Sequence, residues 1–414
     1  MDIKGIGNVE IVFYVGTHKV SAFAGQVSKE GPRIVAHQEL YQPEGFENGC
    51  VVHLEAAVST LETFVAQLLP RRGNRDVTAH VVLGNSKLHV HDFSSCQYFD
   101  SPRTLTPHEV RSVVEQTRSV STLPLTEFVL QALPESFLVN DTPDVQNPLG
   151  LEASRLGVNL KIFTMEFQDF KNISKAFESA DITVKGFWPR MITVSEAVLT
   201  ENEKNEGVLL VDVADSMTEL LIWKAGRLVR VRNASRGGRY LTERIAQEWN
   251  LDLHDAQKLK ERFATLETDL DFGDELIPLI QRNGKPNQQI RRQEFQSRFQ
   301  SVAEDWLREI LKEGDALAEE DRVLHPHYVF TGGGTAFGGF LEFVNQRFQR
   351  ESRMGYSRKM EAPQELLVDP SLTPAMGMYR WLSTQSENYS SLMAPRGVFE
   401  KTLASARDWF YAYF

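Results

Sequence analysis

The stretch 211-VDVADSMTELLIWKAGRLVRVR-232 decides how the rest of the chain is read. It reads as a strand, a tight turn, a second strand, a Lys-Ala-Gly turn and a third strand. The apolar run 207-GVLL-210 delivers the chain to Asp212. An acid at the end of a buried strand, followed by a tight turn, is a place for a metal-bound phosphate. A phosphate cradle, however, needs small residues whose backbone N–H groups can approach the anion. This turn carries Ala214, Asp215, Ser216 and Met217, which puts a second carboxylate where the anion would sit. Three readings follow: a nucleotide site, a degenerate one, or a plain hairpin.

The pattern recurs upstream. Residues 8-NVEIVFYVGTHKVSAFAGQV-27 give a hairpin with its tip at 16-GTHK-19, and a third strand follows at 33-RIVAHQEL-40. Next, 52-VHLEAAVSTLETFVAQLL-69 has apolar residues at helical spacing, and 78-TAHVVLG-84 reads as a strand. Composition shifts over residues 86–165, where two strand candidates, 87-KLHVHDF-93 and 158-VNLKIFTM-165, flank a helix. That helix opens at 106-TPHEVRSVVEQT-117, with Thr106 and Glu109 at capping-box spacing. This segment reads as an α+β insertion. The helix 170-FKNISKAFESA-180 and the strand 181-DITVKGFW-188 resume the first pattern, and after the opening stretch comes the helix 238-GRYLTERIAQEWN-250. A polar, turn-rich stretch, 265–290, precedes the amphipathic helix 292-RQEFQSRFQSVAEDWLREILKE-313. Then 326-PHYVFTGGGTAFGGFLEFVNQRF-348 reads as strand, triple glycine and helix. The chain therefore repeats one order, and two such halves facing each other form a cleft with the hairpin tips pointing into it.

At 414 residues, two or more domains are expected. A formal net charge of −11, with no long basic run, argues against nucleic acid as a partner. Two cysteines, Cys50 and Cys96, offer no disulfide framework or C-x-x-C, as suits a reducing compartment. The sequence 1-MDIKGIGNVEIVFYVG-16 lacks signal-peptide features, and no apolar run is long enough to span a bilayer. A cytoplasmic location is the expectation.

The ordered set 16-GTHK-19, 212-DVADSMT-218, 237-GGRYLTERIA-246, 256-AQKLK-260 and 331-TGGG-334 resembles the actin/Hsp70/sugar-kinase superfamily. Within it the chain resembles FtsA, the actin-like bacterial cell-division family, from about residue 9 onward. Further points of resemblance are 49-GCVVHLEAAVSTL-61, 147-NPLGLEASRLGVNLKIFT-164 and 172-NISKAFESADITVKGF-187. The N-P-L-G…R-L-G-V portion is similar to the family's D-P-V-G…R-L-E-V pattern. The resemblance implies an α/β fold, actin-like (ribonuclease-H-like), of duplicated domains around a central cleft, with an inserted α+β subdomain and a C-terminal amphipathic helix. Its subdomains would be 1A (1–85, 166–200 and 366–382), 1C (86–165), 2A (201–232 and 306–365) and 2B (233–305). A linker at 383–396 and a membrane-targeting helix at 397–414 would follow.

The same resemblance implies a site for ATP and Mg²⁺ built from Gly16, Thr17, His18, Lys19, Asp212, Ser216, Thr218, Gly237, Gly238, Gln257, Lys260, Gly332, Gly333 and Gly334. Asp212 would be the metal holder. The match departs from the family where chemistry would be done. The family's D-I-G-[ST]-x-K begins here with Tyr14, and D-I-G-G-G-T-x-D keeps Asp212 but has Ala214, Asp215, Ser216, Met217 and Glu219. Asp215 beside a polyphosphate in a low-dielectric site costs on the order of 1–4 kcal/mol unless a cation compensates. Binding of ATP and Mg²⁺ is therefore expected to be weak or absent, no catalytic residue is assigned, and a pseudo-site kept for shape is the competing reading.

The tail 397-GVFEKTLASARDWFYAYF-414 follows the polar linker 383-STQSENYSSLMAP-395. Phe399, Leu403, Phe410, Tyr413 and Phe414 share one helical face, flanked by Trp409. Aromatic residues favour the headgroup region of a bilayer. With the charges balanced, ring insertion supplies the affinity, roughly 1.5–3 kcal/mol for each fully buried large side chain. Docking on the protein's own surface or on a partner is the other reading of such a helix.

The resemblance implies these partners: the C-terminal peptide of the tubulin-like division protein FtsZ on 2B, other copies of the chain in filaments, membrane lipid, and other division proteins. It implies a peripheral location on the inner face of the cytoplasmic membrane at the division site. An active ATPase or kinase of the superfamily, or a pilus-assembly actin-like scaffold, remains the alternative. His89 and His91, or His325 and His327, lack a third metal ligand at suitable spacing. Arg227, Arg230, Arg232, Arg236 and Arg239 read as a solvated edge or as a contact for an acidic partner.

Overall fold

The computed structural model describes residues 9–28, 30–69, 76–85, 87–234, 236–268, 270–279, 288–323 and 326–385. The chain divides into two compact units. Unit 1 comprises Met1–Glu196, Lys359–Ala362 and Pro374–Phe414, and unit 2 comprises Ala197–Arg358 and Pro363–Thr373.

Unit 1 begins with the antiparallel meander β1 (Val9–Gly16), β2 (Lys19–Ser28) and β3 (Gly31–Tyr41). A small hairpin, β4 (Phe46–Glu47) and β5 (Cys50–Val51), leads into α1 (Leu54–Leu68), and β6 (Val77–Gly84) returns parallel to β1. Both β1 and β6 are almost wholly buried, the signature of strands covered on both faces. The chain then leaves this sheet for the inserted element: β7 (Leu88–Thr104), α2 (Pro107–Val120), β8 (Glu127–Val139), β9 (Thr142–Val145) and β10 (Glu152–Glu166). These strands form their own antiparallel sheet, ordered β7-β10-β8-β9. The expected capping box is present at the start of α2, with Thr106 and Glu109 exchanging bonds. Val110 and Val113 of α2 pack with Phe137, Leu156 and Val158 of the sheet as a core of its own. After α3 (Phe167–Ser179), β11 (Ile182–Pro189) joins β6 in parallel, and α4 (Arg190–Val198) carries the chain into unit 2. The sheet reads β3-β2-β1-β6-β11. Phe13 of β1 meets Phe64 of α1 and Phe177 of α3 edge-on, at 6.2 and 5.2 Å between ring centres.

Unit 2 repeats the plan. After α5 (Glu201–Glu206), the opening stretch forms the meander β12 (Val208–Val213), β13 (Thr218–Lys224) and β14 (Arg227–Ala234). Next come α6 (Arg239–Trp249), α7 (Leu253–Phe263), the hairpin β15 (Leu276–Leu279) and β16 (Gln288–Arg291), and the long α8 (Arg292–Glu320). β17 (His327–Thr331), α9 (Phe340–Phe348), β18 (Ser352–Met354) and α10 (Gln364–Leu367) complete it. The sheet order is β14-β13-β12-β17-β18, with β12, β17 and β18 parallel. Three meander strands followed by two parallel strands is the order of unit 1 as well, so the fold is duplicated α/β, with the inserted element on the first copy. α8 runs along β13 and β14. Its Trp306 is fully buried and donates through Nε1 to the Arg236 carbonyl at 3.3 Å.

Around β14, Arg230, Arg232, Arg236 and Arg239 pair with acids of their own unit and stay partly exposed. Arg230 makes two bonds to Asp321, Arg232 two to Glu320, Arg236 pairs with Glu309, and Arg239 lies 3.4 Å from Glu243. The last described helix, α11 (Thr373–Gln385), returns the chain to unit 1, where the Tyr379 hydroxyl donates to the Glu10 carbonyl at 2.9 Å.

Candidate functional site

In α/β sheets the carboxyl ends of parallel strands are where ligands gather. Unit 1 presents Gly16 at the end of β1 beside its register partner Gly84 at the end of β6. Thr17 and His18 form the hairpin tip, and Lys19 opens β2. The nearly buried Lys19 side chain donates to Glu39 on β3 at 2.8 Å, with its ammonium 5.6 Å from the centre of the Tyr41 ring. His18 also meets Tyr41, and its carbonyl accepts from the Gln42 amide. Tyr14, two residues before Gly16, is buried, and its ring lies across both glycines. A Cβ at Gly16 would stand 2.9 Å from Tyr14 Cζ and Oη, and one at Gly84 2.8 Å from Cε2 and Oη.

Unit 2 gathers its residues more tightly. Asp212, at the end of β12, is buried beside its cross-strand partner Glu219 and its parallel neighbour Thr331. The turn closes with the Ala214 amide donating to the Met217 carbonyl at 2.9 Å. Ser216 is half-buried, with its hydroxyl unbonded among the described residues, and Thr218 donates to the Arg236 carbonyl at 2.8 Å. The carbonyls of Ala214 and Asp215 face the start of α6 and accept from the amides of Gly238 and Arg239 at 2.8 and 2.7 Å. A helix N-terminus offers unpaired N–H groups, and here the turn takes two of them. Gly237 fits only as glycine, since a Cβ would stand 2.5 Å from the Ala214 carbonyl oxygen and the Met217 nitrogen. A Cβ on Gly238 would lie 3.2 Å from the Gly334 Cα, so the Gly-rich turn after β17 abuts the same corner.

Gly332 adopts φ +89°, a region open to glycine, and a Cβ there would reach Asp212 Oδ1 and the Val213 carbonyl. Gly333 sits in the 3₁₀ turn that follows. Lys260 of α7 is buried. Its ammonium donates to the Gly238 carbonyl at 3.1 Å and to Thr242 Oγ1 at 2.6 Å, and Thr242 in turn donates to Gln257. Burial brings the Lys260 pKa down to about 8 against the opposing pull of the Asp215 and Glu261 carboxylates. The structure thus brings Asp212, Ser216, Thr218, Gly237, Gly238, Gln257, Lys260 and Gly332–Gly334 to one corner of unit 2. Gly16, Thr17, His18 and Lys19 share one hairpin of unit 1. Phe399, Leu403, Trp409, Phe410, Tyr413 and Phe414 lie outside the described residues.

Sequence reasoning missed the partners. Glu39 meets Lys19 only through the β2–β3 register, in which Glu39 lies opposite Ser21 and Tyr41 opposite Lys19. The cation facing Asp215 lies 45 positions further along the sequence, on another element. Among the histidines, His91 bonds Glu127 at 2.7 Å across two strands. No group of three or more metal-ligating side chains occurs among the described residues.

The duplicated sheets and the glycine-lined turns at their carboxyl ends define an actin-like protein. Among solved structures, the PilM–PilN type IV pilus biogenesis complex superposes with a TM-score of 0.62 at 14% identity, covering 90% of this chain and 98% of that one. MreB 5 of Spiroplasma citri bound to AMPPNP superposes at 0.53 and 14%, covering 93% and 99%. The family model for cell division protein FtsA matches residues 209–377, and the model for the SHS2 domain inserted in FtsA matches 96–164. Cell division protein FtsA of Pseudomonas aeruginosa is 23% identical over 386 residues, 93% of this chain and 92% of its own length. That of Escherichia coli K12 is 22% identical over 406 residues, 95% and 94%. The chain belongs to the FtsA family as a divergent member.

Proposed function

We propose that this chain polymerises and tethers FtsZ filaments, and the division machinery they organise, to the inner face of the cytoplasmic membrane. The reading is carried by one observation: an SHS2-type insert, matched over 96–164, lies between β6 and α3 of an actin-like fold that matches the FtsA family model over 209–377. In this proposal residues 1–85, 166–200 and 366–382 act as subdomain 1A, 86–165 as 1C, 201–232 with 306–365 as 2A, and 233–305 as 2B, which receives the FtsZ C-terminal peptide. No helix among the described residues is long and apolar enough to cross a membrane. Attachment falls to the helix proposed at 397–414, with Phe399, Leu403, Trp409, Phe410, Tyr413 and Phe414 inserting into lipid. One such helix binds reversibly, and a filament multiplies its hold by avidity. The nucleotide site is degenerate, so tethering rather than turnover is the activity.

Co-sedimentation with liposomes of phosphatidylethanolamine and phosphatidylglycerol tests the reading. The full chain pellets with lipid, and deletion of 397–414 lowers the bound fraction at least tenfold. A truncated chain that pellets as well as the full chain refutes the tether.

A further inference from the structure

An actin-like fold implies a Mg²⁺-bound nucleoside triphosphate held by glycine turns such as these. In unit 1 the room above Gly16 and Gly84 is taken by the Tyr14 ring, which a Cβ on either glycine would meet at 2.9 or 2.8 Å. The cation of that hairpin, Lys19, already has its counter-charge in Glu39 at 2.8 Å. In unit 2 two amides at the start of α6, the donors a phosphate would use, are bonded to the Ala214 and Asp215 carbonyls at 2.8 and 2.7 Å. Lys260 is committed to the Gly238 carbonyl and Thr242, with the Asp215 carboxylate acting on it as well.

We infer that the anion site of each unit is occupied by the protein itself: the Tyr14 ring and the Glu39 carboxylate in unit 1, and the 214–215 turn with the Asp215 carboxylate in unit 2, hold the space and the counter-charge that a triphosphate would need. A Mg²⁺-bound triphosphate does not fit these hairpins. An entering phosphate would have to displace Glu39 from a nearly buried lysine and lift an aromatic ring off two glycines. It would also face Asp215 in place of a small uncharged residue. The consequence is that the fold needs no nucleotide to hold either hairpin in shape. This inference rests on the actin-like scaffold reading above and deepens it by assigning the residues that replace the ligand.

Isothermal titration of the full chain with Mg²⁺·ATP, and separately with inorganic pyrophosphate, tests it, with ligand-free melting curves as the folding control. The wild-type chain shows no saturable binding of either up to about 1 mM, equivalent to about −4 kcal/mol or weaker. Glu39→Gln binds pyrophosphate more tightly than wild type, because Lys19 is released. The Tyr14→Asp, Glu39→Gln double variant gains at least tenfold for Mg²⁺·ATP. Micromolar binding of Mg²⁺·ATP by the wild type, weakened by Lys19→Ala, overturns the inference. So does a folded Glu39→Gln that binds pyrophosphate no better than wild type, whether or not the double variant folds. Tethering is read by lipid sedimentation and is untouched by either result, so the two readings fail separately.

Discussion

Glu203 offers a perturbation whose size follows from its surroundings. It is the third residue of the six-residue α5, and its carboxylate accepts from the Thr200 amide at 2.7 Å while its own amide donates to Thr200 Oγ1 at 3.0 Å. The same carboxylate receives two bonds from Arg353 on β18, at 2.6 and 2.8 Å. Arg353 also donates to the Val198 carbonyl, so one guanidinium ties the entry of unit 2 to the outermost parallel strand of its sheet. Burial alone would raise the Glu203 pKa, but the bonds from Arg353 and Thr200 outweigh it and hold the group at about 2 rather than 4.5. At 1.36 kcal/mol per unit this displacement is about 3 kcal/mol, and partial exposure of both side chains trims it to about 2 kcal/mol.

The sign is set by linkage. The folded pKa is depressed, so the contribution is fully present above pH 4.5 and is lost as pH falls toward 2. Glu203→Gln keeps the shape and removes the charge. Urea unfolding followed by tryptophan fluorescence should show wild type more stable than the variant by about 2 kcal/mol at pH 7. The gap should fall to about two-fifths by pH 3, where the unfolded carboxyl is protonated and the folded one is still ionised, and it should close as pH falls below 2. Glu203→Ala also loses the cap and should cost about 1 kcal/mol more. A wild-type-to-glutamine gap that stays constant between pH 7 and pH 3 refutes the reasoning.

Gly332→Ala introduces a Cβ against Asp212 and Val213 at φ +89°, and should destabilise the protein by about 2 kcal/mol or more in thermal melts. For Lys260 the folded pKa lies below 10.5, at about 8, so the unfolded chain binds more protons between these values. Wild-type stability should therefore rise from pH 8 to pH 10.5, and that rise should vanish in Lys260→Met. Arg232→Ala breaks a half-exposed pair with Glu320 and should cost under about 1 kcal/mol, less at high salt, in urea unfolding.

The hairpins were legible because apolar runs interrupted by Gly turns leave few alternatives, and the triple glycine marked a strand-to-helix switch. Other elements were hidden for local reasons. β8 carries Pro134, which argues against a strand, and the fold accommodates it beside a register shift where Leu160 pairs with Pro134. β7 continues eleven residues past Phe93 through SSCQYFDSPRT, which lacks clean alternation, because pairing with β10 sustains it. α8 runs on to Glu320 through Gly314, where a Cβ would stand 2.7 Å from Leu209, so the glycine lets the helix lie close to β12. At the site, the glycines were visible as residue types. What fills the space above them was not, because Tyr14, Glu39 and Lys260 act through tertiary neighbours rather than sequence neighbours.

The docking of α11 has a mechanical meaning. Tyr379 is fully buried, its ring stands 2.8 Å from where a Gly25 Cβ would be, and its hydroxyl holds the Glu10 carbonyl. Trp381 meets Trp188 of β11 at 5.4 Å. Tension applied to the segment after Gln385 would thus enter unit 1 through a wedge set against β2 and β1, the latter the middle strand of a five-stranded sheet. A load introduced at the centre is shared by hydrogen-bond ladders on both sides, whereas one applied to a border strand would peel that strand away ladder bond by ladder bond. The proposed tether would need its strain borne in that way.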